Sequence, residues 1–208
     1  MTRIQKRGLV LILVGLVMVF AATGLHLTET RQDAIAGENS QILLQYLEQT
    51  HIPVQVPATD GDLAMLERED GAPIVTKMPE REYLGYAMIG TVRVPSVGIQ
   101  LPVMSKWSYS LLNVAPCRYT GSVPGEDMIV MGHNYKSHFT PLHKVELDAE
   151  VEFEDVNGVV YRYRVAEIVT LHKSEKAELP SEYPLTLFTC MPNGRDRLIV
   201  RCEKTEEA

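Results

Sequence analysis

Residues 8 to 25, GLVLILVGLVMVFAATGL, run for eighteen positions without a charged side chain. At about 1.5 Å of rise per residue, a helix of that length nearly crosses a hydrocarbon core of about 30 Å. Arg3, Lys6 and Arg7 precede it and no acid does, which predicts an N-terminus inside the membrane and the rest of the chain outside. A cleaved signal peptide is the alternative. Its apolar part is usually shorter and closes on a small-x-small site, which FAATG matches only in part. The expected division is a cytoplasmic basic tail at 1–7, a transmembrane anchor at 8–27, an extracytoplasmic helix and linker arm at 28–82, and a domain at 83–208.

The whole chain, 208 residues with 45% apolar and 23% charged side chains, can bury one sizeable core. A net charge of -7 argues against a nucleic-acid partner, because phosphate affinity comes from clustered Lys and Arg. In ETRQDAIAGENSQILLQYLEQ, the residues Ile42, Leu43, Tyr46 and Leu47 fall at helical spacing. Pro53, Pro57, Pro73 and Pro79 then stand among many acids, as in a linker. From Tyr83 the chain turns to short β-type runs: IGTVRVP, VGIQLPVM, DMIVMGH, AEVEFED, VVYRYRVAEIVTL, LTLFTC and DRLIVRC. Only SYSLLNVAP reads as helical. The fold class is mostly β, a barrel or sandwich of about 120 residues.

Three cysteines, Cys117, Cys190 and Cys202, leave at least one unpaired within the chain. Cys117 and Cys202 read as buried small apolar residues, with a disulfide between them as the alternative. Cys190 differs because LTLFTC and RLIV flank the turn signal Pro192-Asn193-Gly194. A thiol becomes a useful nucleophile when positive charge stabilises the thiolate. An even-numbered loop pairs Cys190 with Arg197 and Met191 with Asp196, setting a guanidinium beside the thiol. An odd register, a type I turn with a glycine bulge, sets Asp196 there instead and works against the thiolate. Both registers stand open on sequence alone.

The chemistry also calls for an acid or base, for which His is the usual choice near neutral pH. His26 lies at the membrane edge and His51 in the arm. His133 closes MIVMG just after Gly132, whereas His138, His143 and His172 sit in polar stretches. His133 stands out only together with Cys190.

Taken together, these stretches resemble the sortases, membrane-anchored cysteine transpeptidases of Gram-positive cell surfaces. TLFTC, Thr186 to Cys190, resembles their TLxTC motif. IGTVRVPSVGIQLPV is similar to their first two strands, YTGSVPGEDMIVMGHN to the strand end with their catalytic histidine, and DRLIV to the run after their arginine. The likeness covers about residues 84 to 203. It implies a closed β-barrel of about eight strands with short helices, behind an N-terminal membrane helix. It further implies that Cys190 attacks the carbonyl of a C-terminal sorting signal on a secreted protein. His133 would serve as acid and then base, Arg197 would hold the substrate and stabilise the oxyanion, and Thr189 would line the site. An amine of a peptidoglycan precursor or a pilin would resolve the thioester. No metal or organic cofactor is implied, although calcium stimulates some members.

The chain departs from parts of the family. Residues 28–83 contain no Asp-Pro-aromatic lid motif, and the segment from His172 to Pro184 is short for the helix that one branch inserts there. The subclass and the sorting motif stay open. A membrane-tethered cysteine peptidase and a non-catalytic β module are the rival readings. Papain-like enzymes place Cys before His, unlike this chain, and a binding module leaves the joint occurrence of TLFTC, Gly-His and the trailing arginine unexplained.

Overall fold

The structure, a computed structural model, describes residues 3–50, 78–175, 179 and 182–205, with side chains from residue 12 onward. Helix α1, Arg3–Gln49, runs unbroken for 47 residues, so the apolar run and the helix expected after it are one element. Ile12, Leu16, Val17, Phe20 and Leu25 stand exposed along it, and the helix is long and apolar enough to cross a membrane. Farther along, Ala36, Ser40, Leu43, Leu44 and Leu47 recur at intervals of three and four and are buried. Leu43 and Leu47 pack with Met88, Met104 and Leu112, and Tyr46 stacks on Tyr83 at 3.9 Å between ring centroids. Ile42 is exposed, because it lies to one side of the stripe that Ser40, Leu43 and Leu47 define.

Residues 51–77 of the expected linker lie outside the described residues. Its end already belongs to the domain, since Met78 is buried in the core and Arg81–Tyr83 forms β1. The other strands are β2 (Tyr86–Val94), β3 (Ile99–Met104), β4 (Cys117–Thr120), β5 (Met128–Met131), β6 (Glu150–Asp155), β7 (Val160–His172), β8 (Leu185–Cys190) and β9 (Asp196–Lys204). SYSLLNVAP supplies the short helix α2, Tyr109–Leu112, capped by the Ser108 hydroxyl, which accepts from the Leu111 amide. Eight strands close in the order β2-β3-β4-β5-β8-β9-β7-β6, with β6 pairing back onto β2 and β1 added on β2's edge. The closed β-barrel of about eight strands with short helices is therefore the observed architecture.

Period-two alternation sorts the side chains of each strand to the two faces of the barrel wall. Met128 and Val130 of β5, Leu185 and Leu187 of β8, and Leu198, Val200 and Cys202 of β9 join the main core. Ile129, Phe188 and Ile199 face the other way and pack with Leu179, Tyr119 and Leu171. Closure is tightest at Gly90, which pairs with both Val103 and Asp155 beside a bulge in β2. A Cβ there would lie 2.1 Å from the Glu154 carbonyl oxygen. Gly90→Ala must push β2 away from β6 and should cost about 1–3 kcal/mol. A urea titration of the full-length protein in detergent checks this, and an unshifted midpoint would mean that the seam is not tight.

Candidate active site

Strand pairing brings the sequence-predicted residues together. β8 and β9 are antiparallel with Thr186 opposite Arg201 and Cys190 opposite Arg197. The loop is thus the even one: the Met191 amide donates to the Asp196 carbonyl at 2.8 Å and the Gly194 amide to the Met191 carbonyl at 2.9 Å. Gly194 has φ 66°, a left-handed conformation that glycine adopts without strain. Asn193 Oδ1 accepts from the amides of Arg195 and Asp196, and its Nδ2 donates to the Asp196 carboxylate at 2.7 Å. That carboxylate is held in the turn, not opposite the thiol.

β5 runs parallel to β8 with Met131 level with Phe188, and the Gly132 amide donates to the Phe188 carbonyl at 3.0 Å. Continuing this register by two residues puts His133 level with Cys190. His133, Cys190 and Arg197 therefore sit at one height on three adjacent strands, and all three line a cleft of about 200 Å³ on the outside of the barrel. Gly132 is required by space: a Cβ there would come within 2.5 Å of the buried Phe139 ring.

Cys190 is the exposed end of a strand that is otherwise buried. His133 is half-buried, and burial holds its imidazole below the ordinary pKa. The Arg197 guanidinium lies 5.7 Å from the Phe188 ring centroid and forms no ion pair among the described residues. Arg201, by contrast, pairs with Glu167 at 2.6 Å, and Arg195 is exposed in the turn. Thr189 borders the cleft, but its side chain is fully buried and its Oγ1 has no hydrogen-bond partner among the described residues.

The other histidines stand elsewhere. His138 is buried beside Ser40, His143 Nε2 meets Asn134 Oδ1 at 3.1 Å, and His172 is exposed with Nδ1 2.6 Å from Ser174 Oγ. Cys117 and Cys202 are both free and fully buried. Burial pushes the Cys117 thiol up to about 12 against a hydrogen bond from the backbone of Ser108, and it raises that of Cys202 as well. Among the described residues no three or more His, Cys, Asp or Glu side chains converge as metal ligands would.

Sequence reasoning missed the aromatic wall. Trp107 meets Tyr109 and Tyr119 at 5.7 Å each, and Tyr119 meets Phe188 edge-on at 5.6 Å. The spacing of aromatics in KWSY and YT was the available signal, but only the β3–β4 and β5–β8 pairings, both parallel and non-local, bring them to one cleft. The arrangement brings together an exposed thiol, an imidazole whose charge burial opposes, a guanidinium without an ion pair among the described residues, and an apolar wall that could receive a side chain.

Residues 92–205 match the family model of the sortase domain. No curated protein matches the chain at a significant level. Among solved structures, the chain is similar to sortase C from Clostridium perfringens SM101, at 26% identity and TM-score 0.52 over 62% of this chain and 73% of that one. It is similar also to Clostridium perfringens sortase C with the C-terminal cell wall sorting motif, at 23% identity and TM-score 0.52 over 62% and 74%. A third likeness, to Listeria monocytogenes sortase A, has 22% identity and TM-score 0.50 over 57% of this chain and 88% of that one. These last two speak for the fold.

The burial pattern predicts thiol reactivity directly. Under native conditions iodoacetamide should modify one thiol per chain, at Cys190, and all three after unfolding in guanidinium chloride, as read by peptide mass spectrometry. Comparable labelling of Cys117 or Cys202 in the folded protein would contradict the core described here.

Proposed function

The chain belongs to the sortase family, and from that premise we propose that Cys190, His133 and Arg197 form the catalytic centre of a transpeptidase acting on C-terminal sorting signals of secreted proteins. The observation that carries the reading is their position at one height on β5, β8 and β9, facing a single cleft. Cys190 Sγ attacks the carbonyl carbon of the scissile peptide, and its proton passes to His133. Burial keeps that imidazole neutral near pH 7 and so able to accept it. The oxyanion develops beside the Arg197 guanidinium, a preorganised donor. When the C–N bond breaks, His133 gives the proton to the departing amine, leaving a thioester on Cys190. An incoming amine then loses its proton to His133 and attacks the thioester. The C–S bond breaks, and the thiol recovers the proton.

The aromatic wall of Trp107, Tyr109 and Tyr119 receives an apolar part of the signal, and Thr189 borders the same cleft. The acceptor is an amine of a peptidoglycan precursor or a pilin. A related sortase C has been solved with the cell wall sorting motif, which supports this substrate class. The anchor at 8–27 holds the domain from 83 onward on the outer side of the cell membrane, behind the cytoplasmic tail at 1–7, as the basic residues before the helix favour. The chemistry draws on no metal or organic cofactor.

The full-length protein in detergent, given a library of fluorogenic sorting peptides and triglycine, should form transpeptidation products. Hydrolysis alone would favour the membrane-tethered peptidase, and no reaction would favour the binding module. Cys190→Ala should abolish turnover while the fold persists, and His133→Ala should lower it far more than His143→Ala or His172→Ala. Arg197→Ala should reduce kcat by roughly 10²–10³, the usual cost of losing an oxyanion donor. Arg197→Lys should recover little, because an ammonium lacks the planar fork. Arg195→Ala and Arg201→Ala should keep near-normal rates. If either neighbour matters more than Arg197, the assigned role is wrong.

A further inference from the structure

Residues 134–139, which follow His133, are held from behind by the anchor helix. The Ser137 amide donates to Asp33 Oδ1 at 3.0 Å, and the Ser137 hydroxyl approaches the same oxygen at 2.6 Å. Partial burial works against the Asp33 charge, yet hydrogen bonds from Ser137 hold its carboxyl below the ordinary value. One turn on, Gly37 lets the two backbones approach, since a Cβ there would meet Ser137 Cβ at 3.0 Å. One turn further, Ser40 Oγ donates to the Val114 carbonyl at 2.6 Å and lies 3.0 Å from His138 Nε2. A hydroxyl has one proton, so Ser40 accepts from Nε2–H and fixes His138 in that tautomer.

From His138 the contact passes through rings to the cleft. The Tyr135 ring lies between the two histidines, 5.5 Å from His138 and 4.7 Å from His133. Its hydroxyl donates to Asn113 Oδ1 at 3.1 Å, next to the Val114 carbonyl that Ser40 grips. The Phe139 amide closes the loop onto the His133 carbonyl at 3.1 Å. A chain of direct contacts thus joins α1 to the imidazole in the cleft.

We propose that the outer half of the anchor helix is a positioning element for the active site: Asp33 and Ser40 clamp residues 134–139 and thereby set the His133 ring in the cleft. The proposal rests on the catalytic role given to His133 above. Neither Asp33 nor Ser40 lines the cleft, so they act through Ser137, His138 and Tyr135. Misplacing a proton-transfer group is expensive even over small distances. A membrane helix that also sets the imidazole makes the anchor a part of the enzyme.

The test uses the full-length protein in detergent micelles, with triglycine and the fastest peptide of the library. Asp33→Ala and Ser40→Ala should each lower kcat by about fivefold or more, as displacement of an acid–base group does. KM should stay within about twofold, because the binding wall is untouched. Asp33→Asn keeps an acceptor for the Ser137 amide and should recover most of kcat, and Ile35→Ala, exposed on the same helix, should change nothing. A readout without substrate is the imidazole NMR titration of His133, its resonance identified by its loss in His133→Ala. The charged and titratable groups around it are Cys190 and Arg197 in the cleft and Tyr135 and His138 on its loop, with Asp33 of α1 acting on Tyr135 and His138. In Asp33→Ala and Ser40→Ala the ring should gain water and titrate at higher pH than in the unaltered protein. Folded variants with unchanged kcat and an unmoved His133 titration would overturn the proposal, as would a loss confined to KM or an Asp33→Asn no better than Asp33→Ala. If His133→Ala itself turns over normally, the catalytic reading fails first. If His133→Ala is inactive while both clamp variants behave as the unaltered protein, only the positioning proposal fails.

Discussion

The parallel pairing of β5 with β8 is the constraint on which the site depends. Cys190 and Arg197 are joined by a four-residue loop and would meet in an isolated hairpin. His133 is 57 residues from Cys190 and reaches it only because two parallel strands hold a fixed register, Met131 beside Phe188. A slip of one residue would turn His133 to the inner face, where Gly132 now meets the Phe139 ring. Burial of Met128 and Val130 inside the barrel and of Ile129 outside it forbids that slip, since each face already has its complement. Core packing therefore specifies the geometry of the reacting groups.

Closure adds a second constraint. A parallel pair has slanted hydrogen bonds and needs support on both flanks. Here β5 is flanked by β4 and β8 is flanked by β9, while β6 returns to β2, so the barrel wall that bears the cleft has no free edge. The cleft lies on the outside of that wall, where loops and α2 can wall it with Trp107, Tyr109 and Tyr119 without disturbing the core. Trp107 and Tyr109 can then vary while His133, Cys190 and Arg197, proposed as the reacting groups, stay on or next to the strands of the wall.

The sequence disclosed most of what is local. Pro-Asn-Gly between two strand-forming runs restricted the loop to two registers, and the even one is adopted because Asn193 can receive two backbone amides and engage Asp196 at once. A helix long and apolar enough to cross a membrane was readable because eighteen uncharged residues leave few alternatives. Non-local contacts were harder. The stripe on α1 that docks against the domain includes Ala36, Gly37 and Ser40, small residues that carry no strong hydrophobic period, whereas Ile42, apolar and at helical spacing with Leu43 and Leu47, is exposed. The aromatic wall draws on the loop before α2, on α2 itself, on β4 and on β8, segments whose adjacency no turn or period announces.

The two groups that flank the thiol also divide its requirements. An ion pair with Glu167 holds Arg201 away from the cleft, whereas Arg197 has no such partner among the described residues and rests its guanidinium near the Phe188 ring. An aromatic face supports a cation without neutralising it, leaving the N–H groups free to meet an oxyanion. His133 carries the opposite instruction: burial opposes its charge, which suits the proton-accepting role proposed for it. In the proposed mechanism, a fixed cation and a neutral base on either side of one sulfur let the proton leave the thiol in one direction while negative charge develops in the other. On a barrel wall, that separation is set by the spacing of adjacent strands, about 4.8 Å for each step.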